Sequence, residues 1–444
     1  MSYDKMKIQG STTEEIVASI RSSIGTGVFR PGDRLPVVRQ LAIELGVNRN
    51  TAAAAYRRLT EAGLVVSEGR RGTRIAAPPS AGEQEGLSAH TTLIDWADGN
   101  PDPACLPDMN QIARQCEFVH ALYGEDTLDA ELRRYATAWF CNDCPSEDFG
   151  YLVTHGCVDA IERLARAQLL PGDQVAVEDP CYLGTINALR LSGMHPRGVS
   201  IDGAGIRPDA LRSALENGAR AVLITARAQN PTGASLTSDR AREIAQVLAD
   251  YPDVLAIVDD HFALLAATPY RSPIPESTTR WAVIRSLAKA LGPDIRLALL
   301  ACDAATAGRL QARLAPGMTW VSHFLQTLAS HCLNSSEIEQ TLERAKAQYA
   351  HGRNELMAAL SRHAIEAPVT IDGLNVWIPL PCDAEYVVNA MAKRGWLVRS
   401  STAYDVQKHN QAIRVTISRV QQSEIMSFST DLSSVIRTRD RNGL

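Results

Sequence analysis

The 444-residue sequence has no apolar run approaching the ~18 residues that a membrane-spanning helix requires. Its opening, MSYDKMKIQGSTTEE, lacks the apolar core of a secretory signal, so a cytoplasmic chain with no membrane partner is expected. Paired cysteines are missing too. Nine cysteines, an odd count, are scattered along a long chain, which suits reduced thiols and excludes a disulfide framework. Cys141 and Cys144 form a single CxxC with no second pair or suitably spaced histidine nearby, so no metal site is expected. With 45% hydrophobic and 21% charged residues, what remains is an ordinary globular composition, long enough for two domains.

The net charge of −5 conceals a division. Residues 1–76 hold 12 Lys/Arg and 7 Asp/Glu, a balance of +5, which leaves −10 on the other 368. A basic head on an acidic body points to a polyanionic partner for the head. Thr12–Ile24 places Ile16, Val17, Ile20 and Ile24 on one helical face behind a Thr/Glu start. Gly25, Gly27, Pro31 and Gly32 then break the chain. A second short helix is expected over Pro36–Leu45, stopped by Gly46, and a third over Arg49–Ala62, capped by Asn48. Leu64–Ser67, a tight EGRRG turn and Thr73–Ile75 read as a two-stranded wing. Two helices across a glycine turn, the second opening with polar and basic residues, follow the helix-turn-helix plan.

The stretch GVFRPGDRLPVVRQLAIELGVNRNTAAAAYRRLTEAGLVVSEGRRGT resembles the winged helix-turn-helix of the GntR family over about 65 residues. That resemblance implies double-stranded promoter DNA as partner. It brings Arg34 and Arg39 to the backbone or groove, opens the recognition helix with Asn48, Arg49, Asn50 and Thr51, and forms the wing from Gly69, Arg70, Arg71 and Gly72. Chemically, Arg49 suits a bidentate contact to guanine and Asn50 one to adenine. Arg34, Arg70 and Arg71 suit phosphates. The segment after the head, AAPPSAGEQEGLSAH, is poor in bulky apolar residues. Residues 1–76 are therefore expected to form the DNA-binding domain, 77–90 a flexible linker and 91–444 the body.

The body is organised around Ser286–Arg296, SLAKALGPDIR, between the apolar runs Trp281–Ile284 and Leu297–Ala301. Lys289 thus falls on a connection between buried strands. Ser286 offers a hydroxyl and Arg296 a planar cationic fork, together a grip for a phosphate. A lysine beside a bound phosphate is what a pyridoxal phosphate (PLP) Schiff base needs. Upstream, Val222–Thr225 leads to Asn230-Pro231-Thr232-Gly233, and Val254–Val258 ends in Asp259-Asp260. Asn230 to Asp259 is 29 residues and Asp259 to Lys289 is 30, each the length of a strand–helix–strand unit. Parallel sheets bind ligands at the carboxyl ends of their strands, so the three residues are expected to converge.

The order NPTG, Asp, SxxK and then Arg resembles the fold-type I, aspartate aminotransferase-like family. IDWADGNPDPACLPD resembles the opening of that domain in the MocR subfamily of GntR regulators, which fuses this head to such a body, so the resemblance spans essentially the whole chain. It implies a mostly α winged helix-turn-helix with a β-wing, joined to an α/β aminotransferase-like domain. The small α+β lobe would lie at about 320–444. In that frame Lys289 carries PLP, Asp259 pairs with the pyridinium nitrogen, Asn230 bonds O3′ and Tyr182 of EDPCYLG stacks on the ring. Ser286, Arg296 and the Gly156-Cys157-Val158 turn hold the phosphate, the turn through helix N-terminal amides. Tyr123 reaches the cofactor of a partner subunit, and Arg414 of AIRVTIS clamps an effector carboxylate.

Three departures from the family pattern stand out. Leu128 replaces an expected glycine after Tyr123, Cys157 and Val158 replace polar residues, and His261-Phe262 stands where a tyrosine is usual. His261 would take over the O3′ contact and titrate in the physiological range, which weighs against efficient transamination. The expected function is a homodimeric, PLP-binding transcription regulator, head-to-tail with swapped heads. Its effector is PLP or an amino compound forming an aldimine with it, in vitamin B6 or amino-acid-related metabolism. Two alternatives remain: an active PLP-dependent aminotransferase with an accessory DNA-binding domain, and a DNA-binding regulator that has lost PLP.

Overall fold

Capping chemistry starts the first unit. The Thr12 hydroxyl accepts the N–H of Glu15 while the Glu15 carboxylate takes the N–H of Thr12, a reciprocal box that opens helix α1 (Thr13–Gly25). Helix α2 (Val38–Leu45) begins two residues later than expected, because Val37 is extended and serves as its N-cap. Asn48 accepts the Asn50 N–H at 2.8 Å and caps α3 (Arg49–Glu61). Strands β1 (Val65–Ser67) and β2 (Thr73–Ile75) pair antiparallel. Ile16, Ile20, Leu41, Ala52, Ala55 and Leu59 fill the core, each large aliphatic contributing roughly 1.5–3 kcal/mol by burial.

The computed structural model describes residues 8–67, 72–76, 85, 86, 91–315, 317, 319–407 and 409–442. It divides into two units, Met1–Gly82 and Glu83–Leu444. Of the expected linker, 77–84 and 87–90 lie outside the described residues, and Glu85 and Gly86 belong to the second unit.

That unit opens with β3 (Ile94–Asp95), α4 (Met109–Gln115) and α5 (Ala130–Phe140). Alternation follows: β4 (Phe149–Thr154), α6 (Cys157–Gln168), β5 (Gln174–Asp179), α7 (Leu183–Leu191), β6 (His195–Asp202) and the short β7 (Gly205–Ile206). Next come α8 (Pro208–Glu216), β8 (Ala219–Thr225), α9 (Ser238–Ala249), β9 (Leu255–Asp260) and β10 (Trp281–Ser286). One-turn α10 (Ala288–Leu291), β11 (Ala298–Asp303) and α11 (Ala304–Leu314) complete the large layer.

The sheet runs β4-β11-β10-β9-β8-β5-β6-β7. Helical crossovers cover both faces, so the strands carry apolar residues on both sides. Leu223 and Ile257 enter the core under α6 and α7, whereas Val222 and Val258 enter the core under α8 and α9. β11 runs antiparallel to β10 and β4. The connection before it, 287–297, is eleven residues, too short for a helical crossover to a parallel strand.

Helices α12 (His323–Leu333) and α13 (Ser336–Arg362) precede a lobe of β12 (Asn375–Pro379), α14 (Ala384–Ala392), β13 (Trp396–Leu397), β14 (Arg399–Ser400), β15 (Ala412–Thr416) and α15 (Gln422–Asn442). Its sheet is β12-β15-β14, and β13 pairs in parallel with β3. Trp96 packs on Trp396 and Phe428, with ring centroids 5.2 and 4.6 Å apart. The start of the body is thereby stitched to its end, which holds Ala97–Gly99 beside the lobe. Among the described residues no helix is long and apolar enough to cross a membrane, and no group of side chains is arranged to hold a metal.

Candidate functional site

The three strand ends deliver their chemistry to one place. Register sets Asp259 of β9 beside Thr225 of β8 and Ile284 of β10. Asn230 follows β8, Ser286 ends β10 and Lys289 lies in α10. Asp259 is buried, and its Oδ1 has no hydrogen-bond partner among the described residues. Burial raises its pKa above the ordinary carboxylate value, opposed by the neighbouring His261. The Cys157 thiol lies against Asp259 and Ser286. Half-buried Lys289 donates from Nζ to the Gly99 carbonyl at 2.7 Å. Burial lowers its pKa, favouring the neutral, nucleophilic amine.

Beside this group, Gly156 turns the chain at φ 95° into α6, whose first N–H groups have no intrahelical acceptor. The Arg296 guanidinium lies across this turn, donating to the His155 carbonyl at 3.0 Å. Tyr182 stands at the start of α7, half-buried near the charges of Arg414, Asp259 and Arg296. His261 holds Nδ1 4.0 Å from Asp259 Oδ2. Burial lowers its pKa below the ordinary imidazole value, against the pull of the neighbouring Asp259 carboxylate.

Arg414 is fully buried over the Tyr404 ring, 5.4 Å from its centroid, and reaches Ala97, Asn230 and Glu85. Arg419 instead pairs with Asp98. Tyr123 is 93% exposed, edge-on to Trp320, and stands outside this group within its own chain.

Several neighbours had no sequence signal. Glu85 lies in the expected linker, yet its carboxylate enters the site. Tyr404 is brought in by small-lobe backbone: its carbonyl accepts the Cys181 N–H at 2.9 Å, and Asp179 accepts the N–H groups of Val406 and Gln407. Glu178 is buried under the site and accepts both the N–H and the hydroxyl of Thr225 at 2.8 Å.

Burial lifts the Glu178 pKa from 4.5 to about 7. The folded state therefore holds this proton more tightly. Its stabilising contribution is complete below the unfolded value and is lost as pH rises through about 7, a loss on the order of 3 kcal/mol. Chemical denaturation at pH 5 and pH 8 should show that decline in the parent and not in Glu178→Gln. Equal pH dependence in the two proteins would contradict it.

In the head, Arg34, Arg39, Asn48, Arg49 and Asn50 are exposed, and Thr51 is half-buried. Arg39 and Arg49 line one surface depression of about 520 Å³ between α2 and the start of α3. Gly72 adjoins β2, whereas Gly69, Arg70 and Arg71 of the expected wing lie outside the described residues.

A winged helix-turn-helix with a cationic face, and an aminotransferase-type body with a lysine–aspartate pair at its strand ends, define a DNA-binding regulator of the pyridoxal-phosphate type. Family models agree: bacterial regulatory proteins of the gntR family match residues 12–75, and aminotransferase class I and II matches 80–429. The vitamin B6 salvage pathway transcriptional repressor PtsJ of Salmonella typhimurium is 45% identical over 430 residues, 97% of this chain and 99% of PtsJ. The probable rhizopine catabolism regulatory protein MocR of Rhizobium meliloti is 23% identical, over 81% of this chain and 78% of MocR. The multiple substrate aminotransferase of Thermococcus profundus superposes with a TM-score of 0.72 at 21% identity, covering 80% of this chain and 93% of that one, and shares the fold. The chain belongs to the MocR subfamily of GntR transcriptional regulators, with an aminotransferase class I and II body.

Pyridoxal phosphate fits the residues present. The unpaired, buried Asp259 Oδ1 suits a pyridinium N–H, and the Gly156 turn, Ser286 and Arg296 suit a dianionic phosphate.

Proposed function

We propose that this chain is a PLP-responsive transcriptional repressor acting on vitamin B6 metabolism, with PLP or an amino compound that combines with it as effector. The observation that carries the reading is a half-buried Lys289 and a buried Asp259, its Oδ1 without a hydrogen-bond partner among the described residues, both acting on His261, on a chain that also carries a cationic winged helix. The vitamin B6 salvage role of PtsJ, 45% identical along almost its full length, supports the metabolic assignment.

In this reading Lys289 supplies the amine that anchors the cofactor's aldehyde, and Asp259 keeps the ring nitrogen protonated. Asn230 and His261 serve the phenolic oxygen, and Tyr182 packs on the ring. The Gly156–Val158 amides, Ser286 and Arg296 hold the phosphate, and Arg414 receives a carboxylate. PLP itself supplies an electron-withdrawing ring that responds to amines. The chain works as a cytoplasmic homodimer, head-to-tail with exchanged heads, and Tyr123 serves the partner's cofactor. Val119, Leu122, Tyr123 and Phe324, all exposed and apolar on one protomer, support such a covered face. Effector binding then changes the head's access to paired half-sites through its unequal affinity for two conformers of the body.

On the DNA side, Asn48, Arg49, Asn50 and Thr51 read the groove while Arg34, Arg39 and the wing residues Gly69–Gly72 approach the backbone. Fluorescence anisotropy with a fragment enriched from a random-sequence pool tests this. Arg49→Ala should weaken specific binding roughly tenfold to a hundredfold and relax selection at one guanine, leaving binding to unrelated DNA nearly unchanged. Equal loss on both DNAs would reduce Arg49 to a phosphate contact.

A further inference from the structure

We infer that Glu85 is a built-in ligand of the Arg414 subsite: its carboxylate occupies the seat of an effector's carboxylate, so an amino-acid effector must displace it. The inference rests on the roles given above to Lys289 and Arg414. Glu85 Oε1 accepts from Arg414 Nη1 and, at 3.2 Å, from Asn230 Nδ2. The adjoining Gly86 N–H donates to the Asp98 carbonyl at 3.1 Å. Gly99 makes the room, since a Cβ there would stand 2.9 Å from Glu85 Oε2. The same Gly99 offers its carbonyl to Lys289 Nζ. Carboxylate, amine and guanidinium therefore lie close enough to act on one another's charge.

Two carboxylates cannot share this seat. Arg414 is fully buried, and a second anion there would face Glu85 in a weakly screened setting. Glu85 is held incompletely, however. Its Oε2 is buried without a hydrogen-bond partner among the described residues, and release into water restores that lost hydration. The contact thus screens effectors. An amine lacking a carboxylate reaches Lys289 without disturbing Glu85, whereas an α-amino acid binds only to the fraction of molecules in which Glu85 has left.

The test uses the full chain with PLP, the parent beside Glu85→Gln, and two probes, L-alanine and its carboxylate-free counterpart ethylamine. In Glu85→Gln, L-alanine should perturb the visible band at a concentration at least about tenfold lower than in the parent, while the ethylamine response stays equal. Hydrogen exchange of the peptide containing Gly86 gives a second readout on the parent alone, where L-alanine should raise exchange and ethylamine should not. Equal sensitivity of the two proteins to L-alanine, including no response in either, overturns the inference, as does an unchanged Gly86 peptide. If PLP produces no band at all, the cofactor reading fails instead. Glu85 is then judged by calorimetry of L-alanine with the cofactor-free proteins, where equal affinity again overturns it.

Discussion

Replacing Lys289 with alanine should abolish the borohydride-trapped visible band that the parent develops with PLP. The chain holds only six lysines, at positions 5, 7, 289, 346, 393 and 408, so few amines compete with Lys289. Lys346 is engaged with Glu343 at 2.6 Å on α13, far in sequence from every strand end of the site. Lys289 combines a half-buried position, a lowered pKa and a seat beside Gly99, Glu85 and Arg414. Its removal costs one hydrogen bond to a carbonyl, about 1 kcal/mol, so the fold should survive. A trapped adduct persisting in Lys289→Ala would move the cofactor elsewhere.

The second large effect concerns stability. Asp259 and Asp260 are consecutive in β9 and therefore point to opposite faces. Asp260, fully buried, takes Arg227 at 2.8 and 2.5 Å and Arg285 at 3.3 Å. Arg285 also reaches Asp143 and the Trp139 carbonyl, and stacks on Trp139, Phe140 and Tyr270. Asp260→Ala would leave two buried guanidinium groups short of their shared anion, a cost of about 3–5 kcal/mol. Urea unfolding should shift accordingly, and Asp260→Asn, which keeps some of the hydrogen bonds, should lose less. A change below about 1 kcal/mol, the range of exposed ion pairs, would mean the cluster is relieved by water or rearrangement.

These two neighbours also mark how far the sequence could be read. The position of Asp259 at a strand end is legible from the apolar run before it and a spacing of 29–30 residues to Asn230 and Lys289. The role of Asp260 is not, because its partners Arg227 and Arg285 arrive from other strand ends and nothing local distinguishes them from surface arginines. Glu85 reads as linker for a related reason: its surroundings are Ala, Pro, Gly and Ser, and only the fold brings Arg414, 329 positions away, to meet it. The helices of the head were legible from periodicity and caps. Helix α2 starts late, at Val38, because Val37 stands extended as its N-cap, which the apolar pattern does not signal. The reversed direction of β11 was implicit in an eleven-residue connection, a length signal rather than a motif.

The most direct test of a cofactor-controlled DNA reader is operator affinity with and without PLP, at one fixed salt concentration, in the parent and in Lys289→Ala. If PLP bound at Lys289 shifts the body between conformers, PLP should change the parent's affinity at least about tenfold and leave that of Lys289→Ala unchanged. An affinity indifferent to PLP in the parent, or an equal PLP response in both proteins, would contradict that coupling.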